Sequence, residues 1–240
     1  MKTNLKKILS LQKVFKSYEK NIVMNNFSID IDYGESVGVY GKNGSGKSTI
    51  LKICCGLLKP DSGNIRVMGK SFNSLQESLL IKSRMGVMLH DDMLYPQLSV
   101  KENLIFYSRI LGIKDIFENI NKISSILKLE EYMNVQVIKL SNGNKRRASL
   151  GKSLLNNPDI LIVDEPESNL DDNGKEIVSQ IFNERRDKGL TNFFSTHSKK
   201  FLKECSSKTI NLKITLQKKF FIPTFGMLKL KKLTSVVKTT

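Results

Sequence analysis

The stretch GVYGKNGSGKSTILKI, residues 38–53, crowds glycines, lysine and hydroxyl side chains between two apolar runs. Gly41, Gly46, Lys47 and Ser48 fit the spacing G-x-x-x-x-G-K-[ST], a loop that binds phosphate. The chemistry follows from the residue types. Glycines let the backbone wrap an anion with its amides pointing inward. A helix opening near Gly46 adds the positive end of its dipole. Lys47 can reach terminal phosphates, and the Ser48 hydroxyl can ligate magnesium. Gly41, Asn43, Gly44, Ser45, Gly46, Lys47, Ser48 and Thr49 are therefore the candidate nucleotide contacts. A second chemical signal stands 117 residues further on, where ILIVDE, residues 160–165, ends in two carboxylates. Asp164 can hold Mg2+ through its hydration shell. Glu165 can polarise a water at the terminal phosphate.

Elements must hold these groups together, and the chain reads as alternating strand and helix. ILSLQKVFKSY and FSIDIDYG have strand spacing; in the second, Phe27, Ile29 and Ile31 share one face and Asp30 and Asp32 the other. SVGVY is a short buried-type strand that delivers the loop. KSTILKICCGLL reads as a helix stopped at KPDSG, and NIRVMG as another strand. From about residue 74 to 150 helical spacing dominates. Leu104, Tyr107, Ile110 and Leu111 form one apolar pattern; Ile120, Ile123, Ile126 and Leu127 form another. ILIVDE is an apolar run of the kind buried on both faces of a parallel sheet. A helix (NGKEIVSQIFNERRDKG) and a strand (TNFFSTH) follow it. The expected fold is α/β, a mostly parallel sheet covered by helices, with N-terminal antiparallel strands and a helical subdomain.

With both signals in place, the chain resembles the ATP-binding subunits of ABC transporters over about residues 8–212, an ABC-type ATPase of the phosphate-loop class. The distinguishing stretch is LSNGNKRR, residues 140–147, which is similar to the family signature LSGGQ. Leu140, Ser141 and Gly143 match; Asn142 and Asn144 depart. The resemblance implies that Ser141 and Gly143 close on ATP held by an opposite subunit. Asn144 is shorter than the family's glutamine, which implies weaker closure. SNLD, residues 168–171, resembles the D-loop, which communicates across the dimer. STH places His197 at the family's switch histidine, which touches the terminal phosphate. Tyr18 stands where the family stacks an aromatic on adenine; an ordinary edge-strand tyrosine is the plainer alternative. His90 occupies the position of the family's magnesium-contacting glutamine. An imidazole there can still bond to a metal-bound water, and it also resembles the haem exporter ATPase of cytochrome c maturation.

The resemblance implies a dimer of ATPase subunits, homo- or heteromeric, with ATP and Mg2+ as cofactors and a separate transmembrane permease as partner. Its expected place is the cytoplasmic face of a membrane, as a peripheral protein. Composition agrees: 40% of the 240 residues are hydrophobic, and no apolar run approaches a membrane span. No secretory signal is visible at the start. Cys54, Cys55 and Cys205 fit no metal spacing and read as buried free thiols. The net charge of +16 raises a second class, a soluble ABC-type ATPase acting on nucleic acid or ribosomes. The distribution argues against it. Residues 1–20 carry six lysines against one glutamate, and residues 199–240 eleven lysines against one glutamate, so the span between is nearly neutral. Residues 1–212 are expected to form one domain. Residues 213–240 are expected to form a basic tail, either a poorly ordered extension or an amphipathic element attracted to an anionic membrane.

Overall fold

A computed structural model describes residues 7–19, 21–89 and 93–212 of the chain. His90 and the 213–240 tail, with the expectations attached to them, lie outside the described residues.

Two sheets enclose the first helix. Strands β1 (Lys7–Tyr18), β2 (Asn21–Asp32) and β4 (Ser62–Val67) form an antiparallel sheet in the order β2-β1-β4. Strands β3 (Ser36–Gly41), β5 (Met85–Met88), β6 (Ile160–Asp164), β7 (Thr191–Thr196) and β8 (Lys208–Leu212) form a parallel sheet in the order β5-β6-β7-β3-β8. Helix α1 (Lys47–Cys54) buries Ile50, Leu51, Ile53 and Cys54 in the core between the sheets. Its observed end precedes the KPDSG stop read from sequence. The Gly56 and Leu57 amides fold back onto the carbonyls of Ile53 and Lys52 at 3.1 and 2.9 Å, which closes the helix early.

The apolar run of β6 is divided by strand alternation. Ile160 and Ile162 face the core around α1, whereas Leu161 and Val163 face a second core on the other side of the sheet. That second core is built by α3 (Val100–Ile110), α4 (Ile116–Ile126), α5 (Asn142–Leu154), α6 (Asp172–Asp187) and α7 (Lys199–Cys205). Burial on both faces is why β6 lacks the polar alternation of β2.

One strand and one helix of the sheet region fall within the 74–150 span read as helical. Helix α2 (Leu75–Lys82) is capped by Ser74, and β5 then joins the parallel sheet beside β6. Four residues, MGVM, are too few to show an alternation, so helical spacing on either side concealed this strand. The apolar patterns are also narrower than their spacing indicates. Leu104, Ile120, Ile123 and Leu127 are buried, but Ile110 and Ile126 are exposed. All three cysteines are free and buried.

Candidate nucleotide site

Parallel register gathers the chemical residues. Strands β3, β6 and β7 are neighbours, with Asp164 opposite Ser195 and Tyr40 opposite Thr196. The C-terminal ends of all three strands therefore lie on one edge. That edge carries Gly41 from β3, Asp164 and Glu165 from β6 and His197 from β7. It is the edge at which open parallel sheets bind ligands.

The phosphate loop leaves β3 and turns into α1 at Gly46. Gly46 caps the helix with φ 97° and ψ 12°, in the left-handed region that suits glycine. A Cβ there would also lie 2.6 Å from Val23 Cγ1. Gly41 is required for space, since a Cβ would meet Ser45 Oγ at 2.6 Å and the Leu212 carbonyl at 2.7 Å. Lys47 is buried, and its Nζ donates to the loop carbonyls of Gly41 and Lys42 at 2.9 and 3.3 Å. Burial holds the Lys47 ammonium below the usual lysine range, while Glu165 and Asp164 pull it back up. Both carboxylates are thus within electrostatic reach of Lys47. Ser45 Oγ is buried with no hydrogen-bond partner. Ser48 is exposed at the first turn of α1, Thr49 is half-buried beside it, and Asn43 and Gly44 are exposed on the loop. An unsatisfied buried hydroxyl, a helix N-terminus and a buried lysine fit a phosphate chain.

Asp164 is almost wholly buried and receives a hydrogen bond on Oδ1 from the Ser195 hydroxyl. The chain then turns sharply, with Glu165 at φ 51°. The Glu165 amide donates to Ser195 Oγ at 3.0 Å and to the Ser195 carbonyl at 3.2 Å, which holds this left-handed turn onto β7. The Glu165 side chain meets His197: Nε2 and Oε1 are 2.6 Å apart. Sequence reasoning assigned both residues but did not predict this contact, because it depends on strand register. Among the described residues no cluster of three His, Cys, Asp or Glu side chains is set to hold a metal. Oxygen donors from one hydroxyl and one carboxylate fit Mg2+, which keeps waters and shares substrate phosphates.

The remaining predicted residues stand around this edge. Tyr18 is exposed at the end of β1, a central rather than an edge strand, with Lys16 Nζ 5.7 Å from its ring centroid. Val23, on the partner strand of that hairpin, abuts Gly46. Ser141 is the N-cap of α5, its Oγ accepting from the Asn144 amide at 3.2 Å. A Cβ on Gly143 would lie 3.1 Å from the Asn169 carbonyl, so the signature start packs closely on the D-loop of its own chain. Asp171 caps α6 through the Gly174 amide at 2.9 Å. Asn144, buried, accepts from the Arg147 guanidinium on Oδ1, and Arg147 also reaches the Leu127 carbonyl at 3.2 Å.

Two residues went unnoticed in the sequence. Arg146 is buried and its guanidinium donates to the carbonyls of Leu89 (3.1 Å), Glu165 (2.9 Å) and Asp164. It joins the signature helix to the ends of β5 and β6. Glu167 is also buried, and it accepts from the Thr196 hydroxyl. Arginine in a basic run and glutamate in a loop both look solvated in sequence, so neither carried a signal.

Fold and site together define a phosphate-loop nucleotide-binding domain of the ATP-binding cassette class. The family described as ABC transporter matches residues 24–168, and the chain belongs to that family. Two relatives, each a Nod factor export ATP-binding protein I, are 32% identical over 196 residues in Rhizobium etli and 33% identical over 192 residues in Cupriavidus metallidurans. Each match takes in 79% of this chain but only 60% and 63% of the relative. The chain thus spans about three-fifths of the length of these curated relatives. Among solved structures, a dimeric ATP-binding cassette in a post-hydrolysis state bound to ADP and Pi superimposes with a TM-score of 0.80 at 25% identity. That match covers 85% of this chain and 94% of the other. A dimeric bacterial ABC transporter cassette gives 0.80 at 26%, with the same coverage. Among the described residues no helix is long and apolar enough to cross a membrane.

Proposed function

We propose that the chain hydrolyses ATP as a dimer of cassettes and thereby drives transport through separate membrane subunits. The observation that carries this reading is the single sheet edge on which Lys47, Asp164, Glu165 and His197 meet. The loop amides and Lys47 bind the phosphates, with Ser45 Oγ as an added donor. Magnesium, when bound, would neutralise phosphate charge; the Ser48 hydroxyl would hold it directly and the Asp164 carboxylate through its hydration shell, and His90, by its position in the sequence, is the candidate to bond to a metal-bound water. Glu165 accepts a hydrogen bond from the attacking water and orients it in line with the terminal phosphorus. His197, held by Glu165, stabilises charge on the transferred phosphoryl group. The bond from phosphorus to the bridging oxygen breaks, and ADP and phosphate leave. Tyr18 stacks on the adenine. Ser141 and Gly143 of a facing subunit complete each site, so two copies enclose two ATP molecules. Closing and reopening is the two-state motion that a permease converts into work.

Relatives named for Nod factor export favour export as the direction. The haem exporter reading gains no support from those relatives. Cargo selection belongs to the permease. The protein is then peripheral, on the cytoplasmic face of a membrane. The test is a pull-down of the tagged chain from its native membranes in mild detergent. A stoichiometric multi-span membrane protein is expected. Recovery only with RNA or ribosomal proteins would overturn the reading in favour of an ABC-type ATPase acting on nucleic acid.

A further inference from the structure

We propose that Glu167 is the positioning residue for His197, gripping Thr196 and so holding the histidine loop against Glu165. Glu167 is only 8% exposed, and its Oε2 makes no hydrogen bond among the described residues. A carboxylate in that state costs free energy and is retained only where its remaining contact matters. Burial indeed pushes the Glu167 carboxyl above the usual range.

Its side-chain partner is Thr196, whose fully buried hydroxyl donates to Glu167 Oε1; the backbone amides of Glu167 and Ser198 also favour the charged carboxyl, against the larger effect of burial. The same hydroxyl oxygen accepts from the Ser198 amide at 2.9 Å. The residues on either side of His197 are therefore tied to one hydroxyl, and Glu167 orients that hydroxyl. Glu167 lies two positions after Glu165, so it joins the two segments whose side chains meet at 2.6 Å. His197 is itself 41% exposed at the side chain. Small displacements of such a pair are costly to a reaction that depends on alignment.

The effect on rate rests on the hydrolysis reading above; the effect on the histidine does not. The chain has two histidines, His90 and His197. Spectra of histidine-labelled protein therefore read His197 directly, once His90→Gln assigns the other signal. Glu167→Ala and Thr196→Val are each expected to displace the His197 ring signals in nucleotide-free protein. Both should lower kcat about tenfold with KM for ATP unchanged. Glu167→Gln, which keeps the acceptor oxygen, should restore the ring signals and most of kcat. The double variant should be no worse than either single one. Unmoved His197 signals in folded Glu167→Ala would overturn the proposal; so would losses from the two single variants that multiply. Should Glu167→Ala not fold, unmoved signals in Thr196→Val overturn it equally. If wild type hydrolyses nothing, the hydrolysis reading fails while the ring signals still decide this one.

Discussion

Replacing Arg146 by methionine tests whether one buried guanidinium ties the signature helix to the chemical edge of the sheet. Methionine fills a similar volume, so the cavity contribution is small. What is lost is the donor set for three carbonyls, those of Leu89, Asp164 and Glu165. An acceptor left buried without its partner costs about 1–3 kcal/mol. Taking the low end for each gives a loss of about 3 kcal/mol. With a urea slope of about 3 kcal/mol/M for a domain of this size, the unfolding midpoint should fall by about 1 M. Far-UV circular dichroism across a urea series reads that shift. Turnover of the folded variant should fall as well, because the carbonyls of Asp164 and Glu165 set the sharp turn at Glu165. Lysine at 146 keeps the charge but cannot span three acceptors and should lie between methionine and wild type. A methionine variant within about 0.5 kcal/mol of wild type, with unchanged turnover, would refute the reasoning.

Other expectations follow from the same geometry. Gly46→Ala forces a Cβ onto a residue at φ 97° and against Val23. Strain of about 1–3 kcal/mol should lower ATP affinity about tenfold or more, and unchanged affinity by titration calorimetry would contradict this. Phe182, Phe194 and Phe201 pack edge-on in one buried cluster, with centroids 5.1 to 5.8 Å apart. Phe182→Ala should cost about 3–5 kcal/mol in urea unfolding, while the folded fraction still binds ATP. The raised carboxyl of Glu167 binds its proton more tightly folded than unfolded. Its contribution to stability is complete below the unfolded range and declines as pH rises through the folded value. The melting temperature of Glu167→Gln relative to wild type should therefore climb as pH rises from below the usual glutamate range through the raised folded value, and a flat difference would oppose the assignment.

What the sequence made legible was local. The loop from Gly41 to Ser48 is contiguous, and its glycines, lysine and hydroxyl each answer a requirement of phosphate. Asp164 and Glu165 were readable because an apolar run ends on them. His197 was assigned by the resemblance of STH, after a strand, to the family's switch histidine. The meeting of Glu165 with His197 was not legible, since it arises from the register of β6 against β7. Arg146 and Glu167 escaped notice because charged residues are ordinarily solvated, and only the fold reveals that these two are buried. Strand β5 is too short to display a period. His90 and the basic tail remain expectations from sequence.

The central claim is that ATP joins two copies of this chain through the phosphate loop of one and the signature of the other. Sedimentation of Glu165→Gln with ATP and magnesium tests it most directly, since this variant is expected to bind ATP without turning it over. A stable dimer that disappears with ADP, and fails to form when Ser141 is changed to arginine, is the predicted result. A Glu165→Gln variant that binds ATP yet remains monomeric throughout would contradict the account.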